Sequence, residues 1–343
     1  MLKPPVRSLP RSTNEPLTPM TQSTARIASI LVACAANASA GVWQKLPPLP
    51  EPNGGFICAE WQGRVLVLGG TNWAGDEKKW LTGVHLFDPV VQRWDSLSPL
   101  AQPLAHALAG STTSGLVVAG GTTGRAPFKA LLRLEQGRVT VQDDPVLATP
   151  AVASAGGLVG EELIVVGGTD DVANVAGFRR DAFAWNVRTG EQRTLPPYPG
   201  PALGITASVV VGDEVLVFGG ASWDASARKV TNLSAAHAFS PGRNVWRRLR
   251  PLPFGVRALT AVPLDANRIY LAGGVQNDDA APTDQALIYH LAEDRYTPAA
   301  PLPYRAYVGL VQSGGLVYCL GGEDKAKHRT DAVYRVSVSD LSR

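Results

Sequence analysis

Short apolar runs recur along this chain, and each ends at a pair of glycines. The runs cover residues 65–68, 116–119, 163–166, 215–218, 269–272 and 317–320. The pairs that close them are Gly69-Gly70, Gly120-Gly121, Gly167-Gly168, Gly219-Gly220, Gly273-Gly274 and Gly321-Gly322. Successive pairs are 51, 47, 52, 54 and 48 residues apart, which is an internal repeat. Continuous apolar runs of this length between turn signals read as buried strands. Another strand precedes each run, as at 207–212 and 308–313. A third follows, rich in aromatic or branched residues, at 84–87, 182–185, 236–239, 286–289 and 332–334. Turns such as Asp88-Pro89 or Ser240-Pro241-Gly242 then lead to an outer strand centred on Trp94, Trp246 or Tyr296.

Four strands in each of six units predict an all-β, six-bladed β-propeller. The glycines fit that reading, because blades crowd toward the axis and a residue without Cβ permits close backbone approach and positive φ. The sixth unit stops near residue 341 without an outer strand of its own. Residues 42–46, Val-Trp-Gln-Lys-Leu, match the Trp246-Arg247-Arg248-Leu249 outer strand and are followed by the same kind of proline-rich exit. The expectation is that 42–46 complete the last blade, closing the ring by pairing the chain ends and removing two exposed edges.

The repeat overrides the two-domain prior set by 343 residues, since units of this kind bury a core only against neighbours. A net charge of +3 without a long like-charge block gives no nucleic-acid surface. The basic run at 247–250 alternates with apolar residues and reads as a solvated edge strand. Cys34, Cys58 and Cys319 make neither a disulfide framework nor a zinc spacing. Cys58 and Cys319 lie in the first and last units, which a closed ring makes neighbours, so a bond between them is left open.

The first 40 residues predict a leader rather than fold. Arg26 precedes an apolar run over 27–36, and Asn37-Ala38-Ser39-Ala40 then supplies an A-x-A-type cleavage site. The run is too short to span a membrane. Cleavage after Ala40 would leave 41–343 as a single propeller domain in the periplasm or outside the cell. Initiation at Met20 rather than Met1 would give a more ordinary leader. Leu31-Val32-Ala33-Cys34 also resembles a lipobox, which would put a lipid on Cys34; both readings export the protein.

Candidate chemistry comes from the residue after each glycine pair. It is Thr, Thr, Thr, Ala and Val in the first five units and Glu323 in the sixth. In an up-and-down blade, the segments after the glycines and those leading into each first strand share one face. Polar residues gathered there include Asn72, Trp73, Asp170, Asp171, Gln276 and Asn277, with Asn53, His106, Arg257, Arg305 and Tyr307 from the opposite connections. Glu323 is expected at the inner rim, where burial would raise its pKa toward a useful range for a base. Arg329, six residues on, could turn into the same mouth as an anion clamp. The alternative for this pair is a salt bridge that only stiffens the loop.

Gly322-Glu323 with Arg329-Thr330-Asp331-Ala332-Val333 resembles the catalytic segment of the bacterial sialic acid mutarotases, or N-acetylneuraminate epimerases, which are exported kelch propellers. Gly54-Gly55-Phe56, Gly70-Thr71-Asn72-Trp73 with Lys78-Lys79-Trp80, and Gly273-Gly274-Val275-Gln276-Asn277 agree with it. The resemblance covers residues 42–343, with the order of blades rotated as in a cyclically permuted branch. It implies that Glu323 is the proton-abstracting residue and Arg329 a substrate-binding one, with Arg257, Arg305, Arg180, Asn72, Trp73 and Gln276 as further candidates for binding. It implies a small acidic sugar as partner, anomer interconversion by general acid/base ring opening, and no metal or cofactor. Two departures stand out: Asp324 adds a negative charge beside Glu323, and the 324–328 loop, Asp-Lys-Ala-Lys-His, lacks the family's Pro-Gly turn. A sialidase reading finds no S-x-D-x-G-x-x-W turn. A copper oxidase reading fails on histidine placement, since His85, His237 and His290 fall on third strands. A non-catalytic exported propeller that binds glycan or protein is the remaining alternative.

Overall fold

Every repeat unit folds into a four-stranded antiparallel sheet, and six such sheets form the ring. The computed structural model describes residues 43–142, 146–276 and 281–342. The expected leader, Met20, Cys34 and Asn277 lie outside them. Blade one runs outward from the axis through Ile57–Trp61, Arg64–Leu68, Val84–Asp88 and Arg93–Ser96. Blade two uses Leu108–Ser111, Leu116–Ala119, Leu131–Glu135 and Arg138–Gln142; blade three, Ala155–Val159, Glu162–Val166, Ala182–Asn186 and Gln192–Leu195. Blade four is Ala207–Val211, Glu214–Phe218, Ala236–Ser240 and Val245–Leu249; blade five, Thr260–Pro263, Arg268–Ala272, Ala286–His290 and Arg295–Pro298.

Blade six takes Tyr307–Ser313, Leu316–Glu323 and Val333–Ser337 from the end of the chain, and its outer strand is Gln44–Lys45. Gln44 pairs with Arg335 and Lys45 with Tyr334, and the Leu46 amide donates to Val333 O at 2.9 Å. The expected closure is therefore made, although the paired segment is two residues rather than five.

Six hydrophobic clusters, each drawn from two adjacent blades, hold the ring together. The apolar second strands feed a cluster on both faces: in blade one, Leu66 and Leu68 pack toward blade two while Val65 and Val67 pack toward blade six. This explains why those runs are continuously apolar rather than alternating. The outer aromatic residues have a second task. Trp94 Nε1 donates to Pro47 O, Trp246 Nε1 to Pro196 O, Tyr296 Oη to Arg250 O and Trp43 Nε1 to Pro301 O. Each ties an outer strand to the exit of the preceding blade. Gln192 does the same in blade three, where Nε2 donates to Val146 O.

All twelve ladder glycines have positive φ. Gly69 and Gly70 show why. The Gly70 amide donates to Leu104 O, at the approach to blade two, at 2.8 Å. A Cβ on Gly69 would lie 2.0 Å from that same oxygen. The blade-to-blade bond thus requires glycine on steric grounds as well as conformational ones.

Candidate functional site

The inner strands of all six blades surround an axial cavity of about 560 Å³. Its rim is built by one recurring backbone device. In blades one to five the residue after the glycine pair bridges to a residue just before the inner strand: Thr71 to Gly54, Thr122 to Ala105, Thr169 to Val152, Ala221 to Gly204, Val275 to Arg257. The next residues, Gly55, His106, Ala153, Ile205 and Ala258, have φ between 52° and 67°. They are chained around the axis: His106 N donates to Gly55 O, Ala153 N to His106 O, Ile205 N to Ala153 O and Ala258 N to Ile205 O. A left-handed conformation is costly for a branched residue such as Ile205, and these bonds hold it there.

Blade six departs from the device. Its first two strands run on toward the axis, so that the Tyr307–Glu323 pair, the counterpart of the bridges in the other blades, becomes part of the sheet, and Val308, next in the chain, is not left-handed. A register shift between Tyr307 and Gly309 accommodates the extension. The irregular residue of the glycine ladder therefore sits on an irregular strand end, and both Tyr307 and Glu323 line the cavity. Burial and the Glu323 charge raise the Tyr307 pKa, while Arg257 and Arg329 oppose the rise.

Arg329 also lines the cavity, and its Nη1 lies 2.5 Å from Glu323 Oε2. Its side chain is only 7% exposed, against 29% for that of Glu323. Nη1 donates to His328 O at 3.2 Å, while the buried Nε has no partner among the described residues. Space for the guanidinium stem comes from Gly54, where a Cβ would stand 2.5 Å from Arg329 Cδ and 2.6 Å from Nε. Gly55 makes the same allowance for His106, with a Cβ 2.5 Å from the ring Cε1. Two consecutive glycines thus seat an arginine and a histidine on neighbouring stretches of the rim. His106 has its pKa driven down to about 4, first by burial and then by the charges of Lys78 and Arg329, so the ring is neutral near pH 7. The Glu323–Arg329 ion pair is present, and both of its members line the cavity.

Two hairpins inserted between second and third strands stand on opposite sides of the ring. Thr71–Ala74 pairs with Glu77–Trp80 in blade one, and Ala221–Asp224 with Lys229–Asn232 in blade four. The first carries Lys78 to the cavity. It is tied on both sides: Asp76 accepts from Lys327 Nζ of blade six at 2.6 Å, and the Trp80 ring lies over Gly124 of blade two. The second hairpin positions Arg257, whose Nη1 donates to Asn232 Oδ1 at 2.9 Å.

Of the residues proposed for the site from sequence, Glu323, Arg329 and Arg257 line the cavity; Asn72, Trp73, Arg305, Arg180 and Gln276 do not. Asn72 and Trp73 belong to a segment that pairs with itself as a hairpin instead of hanging at the axis. Arg305 is largely exposed and lies 3.5 Å from Asp284. Arg180 is exposed. Gln276 Nε2 donates to Gln285 Oε1 at 2.6 Å. Asp324 is engaged by His328, Oδ1 to Nδ1 2.5 Å, so its charge is directed along the loop. Cys58 and Cys319 are free thiols, both pushed up to about 12 by burial. Sequence reasoning missed Lys78 as a cavity residue, because only the hairpin's register brings it there.

No family model matches the chain. A solved structure of YjhT superposes with a TM-score of 0.71 at 15% identity, covering 87% of this chain and 98% of that one. Kelch-like protein 36 of Bos taurus is 21% identical over 273 residues, 79% of this chain and 43% of the relative. N-acetylneuraminate epimerase of Salmonella typhi is 25% identical over 174 residues, 41% of this chain and 45% of the relative. The chain is a kelch-repeat propeller similar to the N-acetylneuraminate epimerases. It spans less than half the length of these two curated relatives. Within this kelch propeller the repeat's hallmarks are accounted for physically: the glycine pair carries the blade-to-blade bond, and the outer aromatic anchors the previous blade's exit.

Proposed function

We propose that this propeller interconverts the α and β anomers of N-acetylneuraminate or a closely related acidic sugar. The observation that carries the reading is the Glu323–Arg329 pair, held at 2.5 Å on the wall of an axial cavity of about 560 Å³. That volume suits one sugar. The similarity to proteins named N-acetylneuraminate epimerase supports the choice of sugar.

In this mechanism the Glu323 carboxylate takes the proton of the anomeric hydroxyl while a water molecule gives a proton to the ring oxygen, and on ring closure O6–H returns that proton to the hydroxide left behind. The C2–O6 bond breaks, the open-chain keto sugar turns about its C2–C3 bond, and the ring closes on the other face. The base then returns its proton, so the reaction is balanced without oxidation or group transfer. Arg329 holds the carboxylate of Glu323 in place and presents a fixed positive charge to the oxygens on which charge develops. General base catalysis of this kind contributes on the order of 10²–10⁴-fold. We further propose, from the leader-like residues 1–40, that the propeller works after export.

Anomer exchange in solution tests the reading. The sugar is released as a single anomer and its approach to equilibrium is followed by proton NMR with and without the purified protein. Acceleration that scales with protein concentration supports the proposal; a rate equal to that of buffer sinks it.

A further inference from the structure

The Glu323–Arg329 pair leaves a question of recognition that the cavity's other charges answer. Arg329 spends one guanidinium nitrogen on Glu323 and on a backbone carbonyl. Arg257 is bonded to Asn232. Lys78 differs from both. Its ammonium stands 4.5 Å from the centre of the Trp80 ring, and among the described residues it has neither a hydrogen bond nor an ion pair. It is half-buried on the cavity wall, in electrostatic range of Glu323, Asp171 and Arg329. The hairpin that carries it is fastened to blade six through Asp76 and Lys327, and to blade two through Trp80 and Gly124. A partly desolvated cation with no hydrogen bond or contact ion pair is the arrangement that takes an anion. The Trp80 ring face is the contact its ammonium makes in the absence of one.

We propose that Lys78 binds the carboxylate of the sugar, while the Glu323–Arg329 pair acts at the anomeric centre. This inference rests on the acidic-sugar reading above and divides its labour between two blades. The neighbouring Lys79 makes a control of equal charge. It lies on the same hairpin, is largely exposed and is held 2.5 Å from Glu77.

Calorimetric titration with N-acetylneuraminate and with its methyl ester tests the assignment. Wild-type protein is expected to bind the acid at least about ten-fold more tightly than the ester, as a charge-assisted hydrogen bond warrants. Lys78→Met should lose that preference by weakening acid binding about ten- to a hundred-fold, with ester binding unchanged. Lys78→Arg should recover most of it, and Lys79→Met should behave as wild type. If the wild type prefers the acid and Lys78→Met prefers it equally, Lys78 is not the reader and the inference is overturned, with the acidic-sugar reading intact. If the wild type binds neither compound, or binds both alike, the acidic-sugar reading itself fails and takes this assignment with it. A thermal melt on each variant establishes that it is folded.

Discussion

Gly54→Ala would disable the cavity without replacing either member of its ion pair. Gly54 has φ outside the left-handed region, so alanine is tolerated by the backbone there. The obstacle is steric: the new Cβ would sit 2.5 Å from Arg329 Cδ and 2.6 Å from Nε. Carbon atoms in contact prefer about 3.5–4 Å, so the guanidinium stem must retreat by about 1 Å. Arg329 is 7% exposed and has little room to do so except toward the cavity. A displacement of about 1 Å at a reacting centre costs on the order of 10² in rate. Overpacking of this kind costs about 1–3 kcal/mol of stability. The assay is anomer exchange by NMR, paired with urea unfolding, on Gly54→Ala, Arg329→Ala and the double variant. If the clash with Arg329 is the cause, truncating that side chain removes it, and the stability cost of Gly54→Ala largely disappears in the Arg329→Ala background. Wild-type rate and stability in Gly54→Ala, or strictly additive losses in the double variant, refute the reasoning.

Three other outcomes follow from the same geometry. His106 is neutral in the folded protein down to about pH 4, whereas an unfolded histidine takes up its proton near 6.5. Its contribution, on the order of 3 kcal/mol, is thus complete above pH 6.5 and lost as pH falls toward 4. His106→Asn, which tolerates the left-handed backbone, should show a shallower loss of urea stability across that window; His85 and His237, also lowered by burial, remain in both proteins. Leu46→Ala, at the ring closure where Leu46 is 3% exposed, should cost about 2–5 kcal/mol by equilibrium unfolding. Trp246→Phe removes the indole donor to Pro196 O and should cost about 1 kcal/mol in the same assay, with anomer exchange unaltered.

Much of this architecture is written in the chain at the level of periodicity. The glycine pairs count the blades, and the orphan strand near Trp43 announces the closure, because both are demanded by backbone packing that every unit shares. Glu323 and Arg329 were legible for the same reason, as a break in an otherwise regular series. Lys78 was missed, and His106 was placed at the mouth without a role, because what they do depends on features the repeat does not encode. A two-stranded hairpin turns the segment after Gly70 back on itself, so Lys78 lines the cavity while Asn72 and Trp73 do not. His106 is placed by its own left-handed backbone and by the space that Gly55 leaves for its ring. Arg305 had the right chemistry in the right connection but lies at the exposed edge, paired with Asp284. Periodicity sets backbone position, while local pairing decides which side chains face the axis.

The sixth blade is where the shared plan yields to a local one. Five blades place a left-handed residue at the rim, and four backbone bonds join these from blade one to blade five; in the sixth, Tyr307 and Glu323 pair as part of the sheet and no left-handed residue follows. Among the described residues the chain of inner links does not extend to blade six on either side, where interblade clusters hold the ring.

The Glu323 carboxylate is the centre of the account, and Glu323→Gln tests it most directly. Anomer exchange of N-acetylneuraminate and calorimetric affinity for the same sugar are measured on wild type and variant under identical conditions. The account predicts a fall in catalysed exchange of about 100-fold or more, with affinity changed by only a few-fold. Catalysed exchange at the wild-type rate in Glu323→Gln would contradict it.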